Sequence, residues 1–248
     1  MKKNFSHLPE NISTQEVVLK IKDLGFAYPE PGKKTKIENR KIIDGLSLEL
    51  RKQEFLAIVG ENGVGKTTLM RLLFRIYERD AGSIELFGKK IEFYKKKELY
   101  HQMGLVFQNP ENQFITNAVE DEMMFSLKRV RISEEEKKLR VNEMLQRFHL
   151  EGEIEKSPFV LSQGQKRRLS VASMLLTKQK ILFLDEPTYG QDFENRHELM
   201  KDMCELVREG ITIVMITHDL SLVRQYATRV VELASGKVIC DLSTESYF

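Results

Sequence analysis

The sequence predicts an α/β fold with a mainly parallel sheet, an antiparallel β part before it and a helical insertion within it. Two observations carry this prediction. A glycine-rich segment separates an apolar, strand-like run, Phe55–Val59, from a stretch with helical apolar spacing, Thr68–Tyr77. After Leu161, strand-like and helix-like segments alternate as far as Leu233, which indicates parallel strands joined by helices.

The other segments follow in chain order. Residues 1–16 are polar and predict a poorly ordered tail, so residues 17–248 form the folded domain. Residues 29–40 are rich in Pro, Gly and Lys and predict a loop between two early strands. Residues 83–93 predict a hairpin. From about 95 to 160 the apolar spacing is mostly helical, and this stretch is the predicted helical subdomain.

The glycine-rich segment has the features of a phosphate-binding loop. It fits the pattern G-x-x-x-x-G-K-[ST] between a strand and a helix. Glycines let backbone N–H groups face phosphate oxygens, Lys66 reaches the outer phosphates, and the Thr67 hydroxyl can bind Mg²⁺. The alternative is an ordinary glycine-rich turn, against which the flanking strand and helix argue. The predicted ATP contacts in this segment are Gly60, Glu61, Asn62, Gly63, Val64, Gly65, Lys66, Thr67 and Thr68.

A second segment ends an apolar strand with two carboxylates. It runs Lys180-Ile181-Leu182-Phe183-Leu184-Asp185-Glu186-Pro187, as expected of a buried parallel strand whose carboxyl end faces a ligand. Asp185 is predicted to bind Mg²⁺ opposite Thr67. Glu186 is predicted to orient or polarise a water for attack on the γ-phosphate. For an isolated Asp-Glu pair the alternative is a merely polar strand end.

With Leu161-Ser162-Gln163-Gly164-Gln165 added, the chain from about Val18 resembles the nucleotide-binding subunit of ABC transporters, an ABC-type P-loop NTPase. In that family the pentapeptide is usually Leu-Ser-Gly-Gly-Gln, and its Ser and second Gly contact the γ-phosphate of ATP held by a partner subunit. Ser162 and Gly164 match these positions, while Gln163 replaces a glycine. The resemblance assigns Ser162, Gln163, Gly164 and Gln165 to the partner's ATP. A predicted helix, Gln165–Leu176, follows.

The first turn of that predicted helix is basic, with Lys166, Arg167 and Arg168 in succession. A helix N-terminus and cations both favour phosphate, so this turn is predicted to support phosphate binding. A solvated basic face is the alternative interpretation.

Four single residues also match the family's functional positions. The resemblance gives Gln108 contacts with Mg²⁺ and the attacking water and a link to the membrane partner. It makes Tyr28 the aromatic that stacks on adenine, His218 the residue that senses the γ-phosphate, and Asp192 the aspartate that crosses the dimer interface. The implied catalytic set is therefore Glu186, His218, Gln108 and Lys66. Tyr189 departs from the small residue common at its position.

The partner site implies a dimer. The chain has one phosphate loop and one pentapeptide, and in the family the pentapeptide of one subunit completes the site of another. Because all matched residues occur in this chain, a homodimer and a heterodimer with a paralogous ATPase both remain open. Binding of two ATP molecules would close the interface, and hydrolysis would reopen it.

The segment Gln108-Asn109-Pro110-Glu111-Asn112-Gln113-Phe114 resembles the Gln-Asn-Pro-Asp-x-Gln-Phe/Leu pattern of energy-coupling factor ATPases. That family drives uptake of vitamins and transition-metal ions with a small transmembrane coupling protein and a substrate-binding membrane protein. A helix predicted from Asn117 to Val130 lies where such subunits receive the coupler. Its apolar face is either that docking surface or the core of the lobe; it consists of Val119, Met123, Leu127 and Val130.

Composition gives no global case for nucleic acid as a partner. The formal net charge is +2, from 39 basic and 37 acidic residues. The clusters Lys95–Lys97 and Lys128–Arg131 predict solvated faces. Two cysteines, Cys204 and Cys240, fit no metal spacing and suit a reducing compartment. No run approaches 18 apolar residues, so the chain is predicted to be cytosolic, and the family resemblance implies that it is peripheral on the cytoplasmic face of the cell membrane.

Sequence features also bear on three other functions that such a fold can have. A soluble ABC ATPase acting on ribosomes or DNA usually carries two such domains or a long coiled coil, and this chain predicts neither. A P-loop kinase for a small acceptor would not need Ser162–Gln165 or His218. An exporter ATPase is the remaining alternative, because import follows from the subfamily resemblance alone.

Overall fold

Two β-sheets organise the chain, which a computed structural model describes over residues 16–29 and 41–248. The strands are Val17–Ala27 (β1), Lys41–Arg51 (β2), Phe55–Val59 (β3), Ala81–Leu86 (β4), Lys89–Lys90 (β5), Met103–Val106 (β6), Ile181–Asp185 (β7), Thr212–Ile216 (β8), Arg229–Ala234 (β9) and Lys237–Ser243 (β10). The α-helices are Lys66–Leu73 (α1), Lys96–Gln102 (α2), Val119–Ser126 (α3), Glu134–Arg147 (α4), Gln163–Leu175 (α5), Phe193–Arg208 (α6), Leu220–Tyr226 (α7) and Thr244–Tyr247 (α8). Apart from Glu16 and Pro29, the predicted tail and the loop predicted at 29–40 lie outside the described residues.

The smaller sheet is antiparallel and has the order β2-β1-β4-β5. The predicted hairpin is present as β4 and β5, which Phe87 and Gly88 join with φ of 48° and 72°. Two central residues with positive φ match the twist of an antiparallel ribbon. The second half of the predicted hairpin differs, because Ile91–Phe93 forms a 3₁₀ turn.

The larger sheet has the order β10-β9-β3-β8-β7-β6, in which every pair is parallel except β10 with β9. Both of its faces are covered, which is why β3, β7 and β8 are almost continuous apolar runs. Along β3 two hydrophobic cores take alternate residues, Phe55, Ala57 and Val59 on one face and Leu56 and Ile58 on the other. The smaller sheet and α1 share the second core.

A helical segment leaves the larger sheet between β6 and β7. The sequence predicts a mostly helical stretch from about 95, but the structure pairs β6 with β7 in the parallel sheet. The elements outside the sheet therefore start at the 3₁₀ turn Pro110–Gln113 and include α3, α4 and the 3₁₀ turn Pro158–Val160.

Helix α3 is shorter than the helix predicted over 117–130. The Glu122 carboxylate accepts hydrogen bonds from the N–H groups of Ile115 and Thr116, at 2.8 and 2.9 Å, and these bonds hold the preceding residues as a loop. Of the predicted apolar face, Val119, Met123 and Leu127 are fully buried and Val130 packs against them. That face is therefore core of the helical lobe.

Across residues 16–29 and 41–248, every helix falls short of the length and apolar character that crossing a membrane requires.

Candidate functional site

The candidate site lies where four neighbouring parallel strands end. Strands β3, β8, β7 and β6 lie side by side, and their carboxyl ends meet at one edge of the sheet. The phosphate loop follows β3, His218 follows β8, Glu186 follows β7 and Gln108 follows β6. Residues distant in the chain therefore come together because of the strand order.

The glycines of the phosphate loop are required by backbone conformation and by space. Gly60, Gly63 and Gly65 have φ of 142°, 86° and 109°, a region that L side chains rarely adopt. A Cβ on Gly60 would lie 2.4 Å from the Leu233 carbonyl oxygen. A Cβ on Gly65 would lie 2.7 Å from Ile43 Cδ1, whereas none of the described atoms lies within 4 Å of one on Gly63. The loop therefore packs closely at both ends and is open in its middle.

Lys66 begins α1 and lies across the loop. Its Nζ donates hydrogen bonds to the carbonyl oxygens of Gly60 and Glu61, at 2.6 and 2.8 Å. Burial lowers the pKa of Lys66, and the carboxylates of Glu186 and Asp185 act in the opposite direction. The ammonium group is thus positioned beside both acids at the positive end of α1, an arrangement that favours an anion.

Glu186 and His218 form a direct contact at the ends of β7 and β8. His218 Nδ1 lies 2.9 Å from Glu186 Oε1, and the Glu186 N–H donates to the Ile216 carbonyl oxygen. Glu186 is 9% exposed and has a φ of 44°, a costly backbone conformation for a residue with a side chain. The surrounding strands therefore hold a strained, buried carboxylate against an imidazole that is largely exposed.

Asp185 is the buried neighbour of this pair. Burial raises its pKa to about 6, the nearby Glu186 carboxylate adds to that rise, and Lys66 and Arg167 oppose it. A perturbed carboxylate beside a phosphate loop is typical of a functional site.

A cavity of about 500 Å³ joins most of the predicted residues. Tyr28 lies at its rim, with its hydroxyl 2.9 Å from Thr68 Oγ1 and its ring packed edge-on against Phe26 and Tyr77. Tyr28 is 39% exposed, which leaves its ring accessible for stacking. The predicted residues that line the cavity are Tyr28, Asn62, Gly63, Gly65, Lys66, Thr67, Thr68, Gln108, Asp185, Glu186 and His218.

Three further lining residues are not among the predicted contacts: Ile42, Tyr189 and Ile216. Ile42 lies on β2, an element whose position beside the phosphate loop no local pattern reveals. Tyr189 is 63% exposed and also lines an adjoining cavity of about 630 Å³. The sequence did offer one signal for Tyr189, namely a bulky side chain at a position where a small residue is common in the family. Gly60, Glu61 and Val64 belong to the loop without lining the cavity.

Comparison with known proteins identifies the family. Residues 43–189, more than half of the chain, match the family model described as ABC transporter. The chain belongs to the ABC transporter family. The predicted ABC-type fold is thereby confirmed, and solved structures support it.

Relatives in the ABC transporter family include energy-coupling factor proteins, as the segment 108–114 predicts. The ATP-binding protein EcfA of Methanococcus maripaludis is 36% identical over 90% of this chain and 78% of its own length. The putative HMP/thiamine import ATP-binding protein YkoD of Bacillus subtilis is 41% identical over 94% of this chain. The chain spans only 40% of the length of that relative. The structure of cbiO1 from Clostridium perfringens, part of the complex cbiONQ, superimposes with a TM-score of 0.84 at 32% identity, covering 94% of this chain and 91% of that one.

The residues that the ABC resemblance assigns to a partner's ATP lie away from this cavity. Ser162 is the N-cap of α5: its hydroxyl accepts from the Gln165 N–H, and Gln165 Oε1 accepts from the Ser162 N–H. The helix therefore starts at Gln163, two residues before the predicted start. Gln163 lines the adjoining cavity, and Asp192 is the exposed N-cap of α6.

Gly164 has a packing reason within the chain. A Cβ at this position would lie 2.5 Å from Asn195 Oδ1, whose side chain also donates to Asp192. The starts of α5 and α6, which carry Ser162 and Asp192, are therefore fixed against each other.

The prediction that the basic run of α5 supports phosphate is wrong, and the run is not a solvated face either. Lys166 forms a 2.5 Å ion pair with Glu111, and Arg168 pairs with Glu198 at 2.7 Å. Arg167 is 2% exposed and donates to backbone carbonyls. Because these residues face other elements of the chain, the fold uses their charges internally.

Proposed function

We propose that this chain is the ATP-hydrolysing subunit of an energy-coupling factor importer for a vitamin or a transition-metal ion. The observation that carries the proposal is the convergence of a phosphate loop, two acids and an imidazole on one cavity. The likeness to EcfA and to cbiO1 supports the energy-coupling branch. Within that importer, the chain is a peripheral subunit on the cytoplasmic face of the cell membrane.

The ATP site follows from the cavity. Adenine stacks on Tyr28, and the triphosphate lies over the phosphate loop at the start of α1. Lys66 exchanges its contacts with Gly60 and Glu61 for phosphate oxygens. Glu186 orients the attacking water, and His218 holds that carboxylate through the 2.9 Å contact while it senses the γ-phosphate.

Magnesium fits the oxygen donors of this cavity. Thr67, Gln108 and Asp185 present a hydroxyl, an amide and a carboxylate, the hard oxygen ligands that Mg²⁺ prefers. Among the described residues, no group of three or more His, Cys, Asp or Glu could hold a metal on its own. This suits a cation that is held jointly with nucleotide phosphates, where it neutralises their charge.

The active form that we propose is a dimer. Ser162, Gln163 and Asp192 are exposed and Gln165 is partly exposed at the starts of α5 and α6, where they can meet the ATP of a second subunit, whereas Gly164 is buried between them. ATP binding closes the interface, and hydrolysis opens it. The second subunit is a copy of this chain or a paralogous ATPase, and nucleic acid has no role.

The membrane partner docks in an apolar groove between α2 and α3. This cavity of about 750 Å³ is lined by five large apolar residues that are 39 to 66% exposed: Ile76, Tyr100, Phe107, Ile115 and Phe125. Exposed apolar surface of this kind is typical of an interaction site. Lys96, Lys97, Lys128 and Arg129 surround it, so the predicted basic faces frame the groove. The groove adjoins Phe107, next to Gln108, and can transmit closure to a coupling protein.

The test is recovery of partners from native membranes. Tagged chain purified from gently solubilised membranes is expected to carry a small coupling protein and a substrate-binding membrane protein, identified by mass spectrometry. Phe125→Glu should lose them, whereas Leu139→Glu, an exposed apolar position on α4 outside the groove, should keep them. Ribosomal or DNA-repair partners without a membrane protein would contradict the proposal.

A second test addresses the chemistry. Glu186→Gln is expected to retain ATP binding, to lose hydrolysis by roughly a hundredfold or more and to accumulate closed dimer, because the carboxylate that orients water is gone. Glu194→Gln, an exposed acid in the first turn of α6, should hydrolyse ATP normally. Lys66→Ala should bind ATP poorly. Rapid turnover by Glu186→Gln would refute its assigned role.

A further inference from the structure

Arg167 connects two parts of the chain that have separate proposed roles in ATP binding. The loop with Gln108 lines the chain's own cavity, and the start of α5 beside Ser162 is proposed to meet the ATP of a second subunit. It lies on α5, and its guanidinium donates to the carbonyl oxygens of Phe107 and Gln108, the latter at 2.6 Å. The loop that follows β6 is therefore held by the helix that begins at Ser162.

Other side chains of α5 reinforce the same connection. Lys166 forms its ion pair with Glu111. Gln113 donates to the Ser170 carbonyl oxygen and to Ser173 Oγ, at 2.9 and 3.0 Å, and accepts from Ser170 Oγ at 2.7 Å. Every contact joins the segment 107–113, which begins beside Gln108, to one helix.

The Arg167 contact is maintained against an electrostatic cost. Burial lowers the pKa of Arg167 to about 10, and its Nε lacks a hydrogen-bond partner within the described part of the chain. A buried cation with an unpaired donor is a poor way to gain stability, since an apolar side chain of similar volume often does as well. The planar guanidinium, however, donates from two nitrogens that are fixed in one plane, so it holds two successive carbonyls in a defined relative position.

We propose that Arg167 is a positioning residue that makes α5 and the Gln108 loop one rigid piece, so that the chain's own ATP site and the surface it offers to a partner move together. Arg167 is five residues from Ser162, which is roughly 7 Å along a helix axis at about 1.5 Å per residue. A shift of Gln108 upon ATP binding is thereby passed to Ser162 through one short, bonded path. This inference rests on the proposed ATPase function.

The test is a double-mutant cycle on ATP hydrolysis by the purified full chain. Arg167→Lys keeps the charge but replaces the rigid fork of two nitrogens with one shorter, mobile donor atom, so kcat is expected to fall roughly tenfold while KM changes less than about twofold. In a Gln108→Ala background the same substitution should lower kcat less than about twofold, because the Gln108 side chain that Arg167 positions is gone even though the backbone carbonyl remains. Arg168→Lys, the adjacent arginine that pairs with Glu198, is the matched control and should act like the unmodified chain.

Equal losses in both Gln108 backgrounds, or an Arg167→Lys that behaves like Arg168→Lys, would overturn the proposal. Thermal unfolding shows whether Arg167→Lys is folded. If it is not, Ser170→Ala removes one bond to Gln113 and should give the same non-additive pattern, with a fall of about twofold to threefold; an additive pattern overturns the proposal.

Absence of ATP hydrolysis by the unmodified chain is a separate outcome. If the unmodified chain hydrolyses no ATP with Mg²⁺, the proposed function fails. Hydrogen exchange then tests by itself whether Arg167 holds the segment 107–113 against α5. Arg167→Lys should raise amide exchange over residues 107–113 relative to Arg168→Lys, and equal exchange would refute the connection.

Discussion

Asp202 on α6 is a partly buried carboxylate whose ionisation costs stability. Burial raises its pKa to about 6, and Glu198 and Glu205 on the same helix add to the rise. Arg168 of α5 and His149, which follows α4, oppose it. Its Oδ2 has no hydrogen-bond partner among the described residues. The ionised form is therefore poorly compensated in the folded chain.

Asp202→Asn is expected to stabilise the chain by about 1–2 kcal/mol at pH 7.5, which discounts the about 3 kcal/mol of a fully buried group for partial solvent access. Because the folded pKa is above the unfolded value of 3.8, the penalty is complete above about pH 6 and disappears as the pH falls towards 3.8. The gain at pH 4.5 should be less than roughly half of that at pH 7.5. Urea unfolding at both pH values measures it.

Glu205→Gln provides the control for that measurement. Glu205 is exposed on the same helix, so its substitution should change the free energy of unfolding by less than about 0.5 kcal/mol at either pH. A gain from Asp202→Asn that is equal at both pH values would show that the carboxylate's charge is not its cause.

At the residue scale, most residues that line the cavity are ones that the sequence assigns to the ATP site, because the chemistry of each residue is local. A lysine after a glycine-rich loop and an acid at the end of a strand can each be recognised from the residues beside them in the sequence. Ile42 and the contact between Glu186 and His218 could not be predicted, since each depends on an element placed beside another by the sheet order.

The phosphate loop illustrates the element scale, where backbone conformation and packing can be separated. Gly63 and Gly65 both have positive φ, but only Gly65 is also enclosed, by Ile42 and Ile43 of β2. Gly65→Ala is therefore expected to lower the free energy of unfolding by about 2–4 kcal/mol, and Gly63→Ala by about 1–2 kcal/mol. Denaturant unfolding without nucleotide measures both, and equal losses would mean that the close packing of Gly65 contributes nothing.

Helix boundaries also separate what a local pattern determines from what it does not. The prediction of α5 was correct as to the helix but wrong as to its start and its basic run. Ser162 and Gln165 cap each other, so the helix starts at Gln163, and Lys166 and Arg167 fall on buried positions and Arg168 on a partly buried one. The helix predicted over 117–130 began too early, because the buried Glu122 carboxylate accepts a hydrogen bond from the loop that precedes α3.

At the scale of the whole molecule, the proposed dimer predicts complementation between two defective chains. Lys66→Ala removes a chain's own ATP site. Ser162→Asp retains an N-cap for α5 but places a negative charge against a partner's phosphate. Each variant alone should be nearly inactive, whereas an equimolar mixture should recover about one quarter of normal ATP hydrolysis, because half of the dimers are mixed and each has one intact site.

The mixture also distinguishes the two kinds of partner. Ser162→Ala in place of Ser162→Asp gives a milder defect and should still be complemented. No recovery from either mixture, with both variants folded and the unmodified chain active alone, would mean that Ser162 does not serve a second copy of this chain.

The sequence by itself determined the strands of the parallel sheet, the phosphate loop and the residues at the strand ends, because apolar runs, glycines and terminal acids express the needs of their own backbone. The tertiary structure decided which charges meet a ligand and which meet the fold. Arg167 donates to Gln108, 59 residues away, and the apolar face of α3 became core. Whether a side chain meets solvent or a carbonyl depends on elements that are distant in the chain, and only folding brings them into contact.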